Sequence, residues 1–102
     1  MKTICHLAAA LLVLAASAAQ AQSANLGRNL AATCANCHGT NGQARGDSKP
    51  LAGVSAEKIM AAVADYKSGA QPATIMHQIA KGYTDEQIKL IAAFFAAQPA
   101  AK

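Results

Sequence analysis

The chain has no tryptophan and only two phenylalanines and two tyrosines in 102 residues. Aromatic side chains bring the largest buried areas to a core, so a chain with so few of them is a poor core-builder. Its apolar quota is dominated by alanine instead. No run of basic residues occurs either: apart from Lys2, the lysines and arginines are scattered singly from Arg28 to Lys102. A nucleic-acid footprint needs such cations clustered, and that class is excluded. No alternating apolar-polar stretch is long enough for a strand, and internal repeats and low-complexity linkers are missing. The longest apolar stretch, Leu7 to Ala16, is about half of the roughly 20 residues a spanning helix requires. No stable membrane insertion is expected.

That stretch, preceded by Lys2 and followed by the small-residue site Ala19-Gln20-Ala21, reads as a secretory leader over residues 1–21. The mature chain is expected to begin at Gln22 and to form one domain over 22–102, placed in the periplasm. Cys5 precedes the apolar stretch and is discarded with the leader. Losing Lys2 leaves eight basic against five acidic side chains, an ordinary solvating balance. Chains of about 80 residues bury only about 60% of the surface they expose when unfolded, and commonly lean on a disulfide, a metal or a partner. Something other than side chains should complete this core.

The patterning that remains is helical. A first segment spans about Leu26 to Cys37, with Leu26, Leu30 and Thr33 on one face, and is stopped by Gly39-Thr-Asn-Gly42. The stretch from Gln43 to Val54 reads as a loop. A second helix is predicted over Ala56–Lys67, with Ser55 as N-cap, Gly69 past its end and a buried face of Ile59, Met60, Val63 and Tyr66. Pro72 to Ala80 suits a short helix opened by proline. In the last helix Thr84 and Gln87 fit a capping box, Asp85 and Glu86 suit the positive end of the dipole, and Ile88, Ile91, Ala92 and Phe95 form one stripe. Gly27 offers a point of close approach for that helix. The fold class is all-α, with three to four helices.

Chemistry concentrates in Cys34-Ala-Asn-Cys37-His38, the C-x-x-C-H signature of covalent haem attachment. On a helix, residues three apart share a face, so both thiols can reach the two vinyl groups of one porphyrin edge. His38 follows on the same side to reach the iron. A disulfide is the poorer reading, because C-x-x-C disulfides are labile and belong to redox folds with sheets. Zinc is poorer still: a closed site wants four ligands, and beyond the motif only His77 is a usual donor. One haem c is therefore expected, with Cys34 and Cys37 as its thioether anchors and His38 as one axial ligand.

For the second axial position the candidates are Met60, Met76 and His77. Met60 sits in an apolar stripe where methionine usually fills space. Met76 and His77 are neighbours, about 100° apart on a helix, so only one can face the iron. A His/Met pair is a standard arrangement and raises the potential, which favours Met76. Tyr66 and Tyr83 are candidate donors to a haem propionate or to a carbonyl. Lys49, Lys81 and Lys89 are candidate docking lysines.

Three stretches carry a resemblance: Cys34-Ala-Asn-Cys-His-Gly-Thr-Asn-Gly42, Tyr66-Lys-Ser-Gly69 and Thr74-Ile-Met-His-Gln-Ile-Ala-Lys-Gly-Tyr83. The chain resembles class I c-type cytochromes, and over most of its mature length it is similar to the haem subunit of flavocytochrome c sulfide dehydrogenases. The resemblance implies a small class I cytochrome c fold packed around one covalent haem, with Met76 as the distal ligand. It also implies that Pro50 offers its carbonyl to the outer nitrogen of His38, a contact that orients a ligating imidazole. The implied partner is a flavoprotein that oxidises sulfide. A single attachment motif, where some members of that family carry two haem domains, excludes an internal two-haem relay.

With both axial positions filled, the iron has no open site, and one-electron transfer rather than catalysis is expected. The chain is then either the electron-accepting subunit of a sulfide-oxidising flavocytochrome or a free soluble carrier between respiratory complexes. A peroxidase-like enzyme would require Met76 to leave the iron.

Overall fold

The computed structural model describes residues 24–102. The leader expected over 1–21, with Lys2, Cys5 and its cleavage site, lies outside the described residues, as does the expected start at Gln22. Five α-helices are present among the described residues and no strand: α1 over residues 24–31, α2 Ala35–His38, α3 Ala56–Ser68, α4 Met76–Lys81 and α5 Asp85–Ala96. A 3₁₀ turn, Thr40–Gly42, follows α2.

Local chemistry accounts for most boundaries. The Thr84 side chain accepts from the Gln87 backbone N–H, while the Gln87 side chain accepts from the Thr84 N–H, so the capping box is complete. Ser55 caps α3 by accepting from the Lys58 N–H, and Gly69 ends it in the left-handed conformation. The stripe on α5 is buried throughout: Ile88, Ile91, Ala92 and Phe95 form the centre of the core with Ala31 and Ile59. Phe94 stacks edge-on against Phe95, ring centroids 5.3 Å apart. α3 packs against both α4 and α5.

α1 reaches the same core through its glycine. A Cβ on Gly27 would stand 2.9 Å from the Leu90 carbonyl oxygen and 3.7 Å from the Phe94 Cβ, so the two helix backbones touch where no side chain intervenes. Gly42 serves the loop in the same way. Its φ is +77°, and a Cβ there would lie 2.5 Å from the Ala52 nitrogen and 2.9 Å from Phe95. The Gly42 carbonyl accepts from the Leu51 and Ala52 N–H groups, folding the 43–54 loop back onto α5.

Three details differ from the sequence pattern. The single helix predicted over Leu26–Cys37 is broken at residues 32–34, where the Cys34 and Ala35 N–H groups bond three residues back instead of four. Thr33 takes part in that tightening by donating its hydroxyl to the Leu30 carbonyl, a back-bond that bends helices. The buried face of α1 is consequently Gly27 and Ala31, and Leu26 is 49% exposed. Met60 is 38% exposed rather than buried, because Ile59, Val63 and Tyr66 already form the inward row and Met60 is turned about 100° from Ile59. Finally α4 begins only at Met76, not at Pro72, with Ile75 at its N-cap supplying no capping oxygen.

Candidate functional site

Among the described residues a cavity of about 680 Å³ lies between α2, α3, α4 and α5. Its walls are mainly aliphatic, including Leu51, Ile59, Val63, Ile79 and Ile91. Into this wall the chain sets Cys34, Cys37, His38 and Met76 together. Met60 and His77 are not part of the lining. Met60 borders a separate groove with Lys67 and Asp85, and the buried Nδ1 of His77 has no hydrogen-bond partner.

α2 is a single turn, and its only task is to present the motif. The Cys37 and His38 N–H groups both return to the Cys34 carbonyl, at 3.3 and 2.9 Å. Gly39, with φ +82°, ends the turn. No disulfide joins Cys34 to Cys37. Cys34 is half-buried and Cys37 exposed. Burial pushes the Cys34 thiol up from its ordinary value of 9.0, against smaller lowering contributions from Thr33 and the backbone.

His38 is oriented by the 43–54 loop. Its Nδ1 lies 2.6 Å from the Lys49 carbonyl oxygen. A carbonyl can only accept, so Nδ1 carries the proton and the neutral ring keeps a bare lone pair on Nε2, the state a metal ligand needs. The acceptor is thus Lys49, one residue before the Pro50 that the family pattern implies. The physical reason lies in the proline: a residue preceding proline is driven to extended backbone, where successive carbonyls point to opposite sides. A ring that takes the Lys49 oxygen does not take the Pro50 oxygen. Pro50 itself is exposed and outside the cavity lining.

Tyr66 and Tyr83 both border the cavity. The Tyr83 hydroxyl is hydrogen-bonded to Thr33, and its carbonyl accepts from Lys67 Nζ at 2.6 Å, with Asp85 a second partner of that lysine at 3.3 Å. Of the three candidate docking lysines, Lys49 lines the cavity, whereas Lys81 and Lys89 are exposed away from its lining. Sequence reasoning missed Thr33 and the Lys49 carbonyl. The first works through a partner fifty residues away and the second through the backbone, so neither leaves a signature in residue type.

Sites that enclose a small-molecule group measure about 300–1,000 Å³ and are mostly apolar with a few placed polar atoms, and this cavity agrees. Its four soft or imidazole donors suit iron in a porphyrin. An apolar chamber of this size inside a helical shell, entered by paired thiols, is the interior of a small all-α haem protein.

Residues 24–98 match the family model for cytochrome c. The chain belongs to the cytochrome c family: it carries one covalently bound haem c, has the all-helical cytochrome c fold, and is an electron-transfer protein. It is 44% identical to the cytochrome subunit of sulfide dehydrogenase from Chlorobaculum tepidum over 69 residues, 68% of this chain and 63% of that protein. It is 35% identical to cytochrome c-554(548) of Halomonas halodenitrificans over 76% of this chain and 99% of that protein. With the thiosulfate dehydrogenase electron acceptor of Stutzerimonas stutzeri the identity is 39% over 91% of this chain and 45% of that protein. The chain thus spans less than two thirds of the sulfide dehydrogenase subunit. No helix among the described residues is long and apolar enough to cross a membrane.

Proposed function

We propose that this cytochrome is an exported, periplasmic one-electron carrier of 22–102, in which Cys34 and Cys37 hold the haem and His38 and Met76 are its axial ligands. One observation carries the ligand assignment: of the three candidates for the distal position, Met76 shares the cavity wall with His38, and Met60 and His77 do not. When bound, the haem supplies reversible one-electron chemistry at its iron. The chain does the rest. Lys49 holds the His38 ring by its Nδ1 proton and leaves Nε2 free to bind. Ile59, Val63, Ile79 and Ile91 keep water from the interior, so few dipoles need to reorganise when the charge inside changes. The thioether of Met76 favours the reduced state over a second imidazole.

The likeness to the sulfide dehydrogenase cytochrome subunit supports a role as the electron-accepting subunit of a sulfide-oxidising flavoprotein. A second reading, a free carrier between respiratory complexes, draws on the match to cytochrome c-554(548), which this chain covers almost end to end. Gentle purification from the native host separates them. Co-elution with a flavin-containing protein and sulfide-dependent haem reduction support the first, and a lone cytochrome that sulfide does not reduce supports the second. The ligand assignment is tested by the ferric spectrum of Met76→Ala beside those of Met60→Ala and His77→Ala. Only the first should lose the weak sulfur-to-iron band.

A further inference from the structure

Tyr83 stands in the connection between α4 and α5, seven residues after Met76. Its hydroxyl meets the Thr33 hydroxyl across fifty residues of sequence. Thr33 Oγ1 also lies 3.2 Å from the Leu30 carbonyl; with its single hydroxyl proton given there, it accepts from Tyr83, and with that proton turned to Tyr83 the direction reverses. At its other end the Tyr83 carbonyl is gripped by Lys67 from the last turn of α3.

The position of this bond matters more than its strength. Thr33 immediately precedes Cys34, in the turn that delivers the attachment motif. α4, which begins with Met76, is six residues long and has no side-chain cap. A helix that short has little stability of its own, and it leans on α3. Among the described residues, the Tyr83–Thr33 bond is the side-chain hydrogen bond that joins the segment containing α4 to the attachment turn.

We propose that the Tyr83–Thr33 hydrogen bond is a clasp that holds the Met76 segment against the attachment turn and so keeps the Met76 thioether on the iron. Tyr83 is then a positioning residue, and the idea rests on Met76 being the distal ligand. Releasing the clasp raises the fraction of molecules in which Met76 has swung away, and an added ligand binds in proportion to that fraction.

The test is a titration of the ferric holoprotein with imidazole, followed by its absorption spectrum, with denaturant unfolding of the same samples. Tyr83→Phe and Thr33→Ala should each bind imidazole about three- to tenfold more tightly, the range one net hydrogen bond supplies. The double variant should match either single one. Thr33→Ser, which keeps the hydroxyl, should restore the parent affinity. In a Met76→Ala background, Tyr83→Phe should change nothing. Unchanged imidazole affinity in Tyr83→Phe, additive effects in the double variant, or a Tyr83→Phe effect that persists without Met76 would each overturn the clasp. If instead Met76→Ala keeps the parent spectrum and affinity, the ligand assignment itself fails, and the clasp with it.

Discussion

His38 and Met76 are held by different means. The imidazole has one nitrogen tied to a backbone oxygen at 2.6 Å, so its remaining donor atom is fixed in direction. The thioether has no such anchor and depends on where its segment sits. The proximal bond should therefore survive changes that open the distal one. Met76→Ala is expected to keep the haem attached, to lower the reduction potential by on the order of 0.1 V within the ~0.8 V span that axial ligands command, and to admit added imidazole. Potentiometry and ligand titration check this. Met60→Ala should leave the potential unchanged and cost about 1–2 kcal/mol, because a side chain 38% exposed gives up only part of the area a fully buried one would; a denaturant titration reads it.

At the scale of elements, α5 supports the whole arrangement, and Gly27 is the point where α1 leans on it. A methyl group there would press on the Leu90 backbone at 2.9 Å, and backbone cannot turn aside as a side chain can. Gly27→Ala is expected to destabilise the holoprotein by about 1–3 kcal/mol, read as a lowered unfolding midpoint with an unaltered spectrum. α5 is also where the sequence was most legible. Its capping box, acidic first turn and four-residue stripe are all local patterns, and each is formed as the spacing predicts. The caps of α3 were legible for the same reason. The break between α1 and α2 was not, since Thr33 bonds back to Leu30 and across to Tyr83, and a threonine looks the same in sequence whether it does so or faces water. The acceptor for His38 was placed one residue late, at Pro50. Backbone carbonyls are present at every position, so residue type cannot choose between neighbours. Met60 lies at the edge of its stripe, and periodicity locates a stripe more reliably than its edges.

At the scale of the molecule, the protein's own core is thin. Of the eight fully buried hydrophobic residues among those described, Ala31, Ala52, Ala80 and Ala92 are alanines, and Phe95 is the one large ring. Around them stands a cavity of about 680 Å³. An empty apolar space of that size forfeits the contacts that hold its lining together, so the haem belongs to the core as much as to the chemistry. The polypeptide made without c-type maturation is expected to lose most of its helix signal in circular dichroism and to melt without a cooperative transition. A haem-free chain that melts sharply would show that side chains alone suffice.

The assignment of Cys34 and Cys37 as the haem anchors underlies everything above, and peptide mass mapping of natively matured protein addresses it most directly. One haem mass is expected on the peptide that carries both cysteines, retained through denaturation and acid extraction and lost in the Cys34→Ala/Cys37→Ala double variant. Recovery of that peptide at its bare mass, with both thiols free to alkylate, would contradict it.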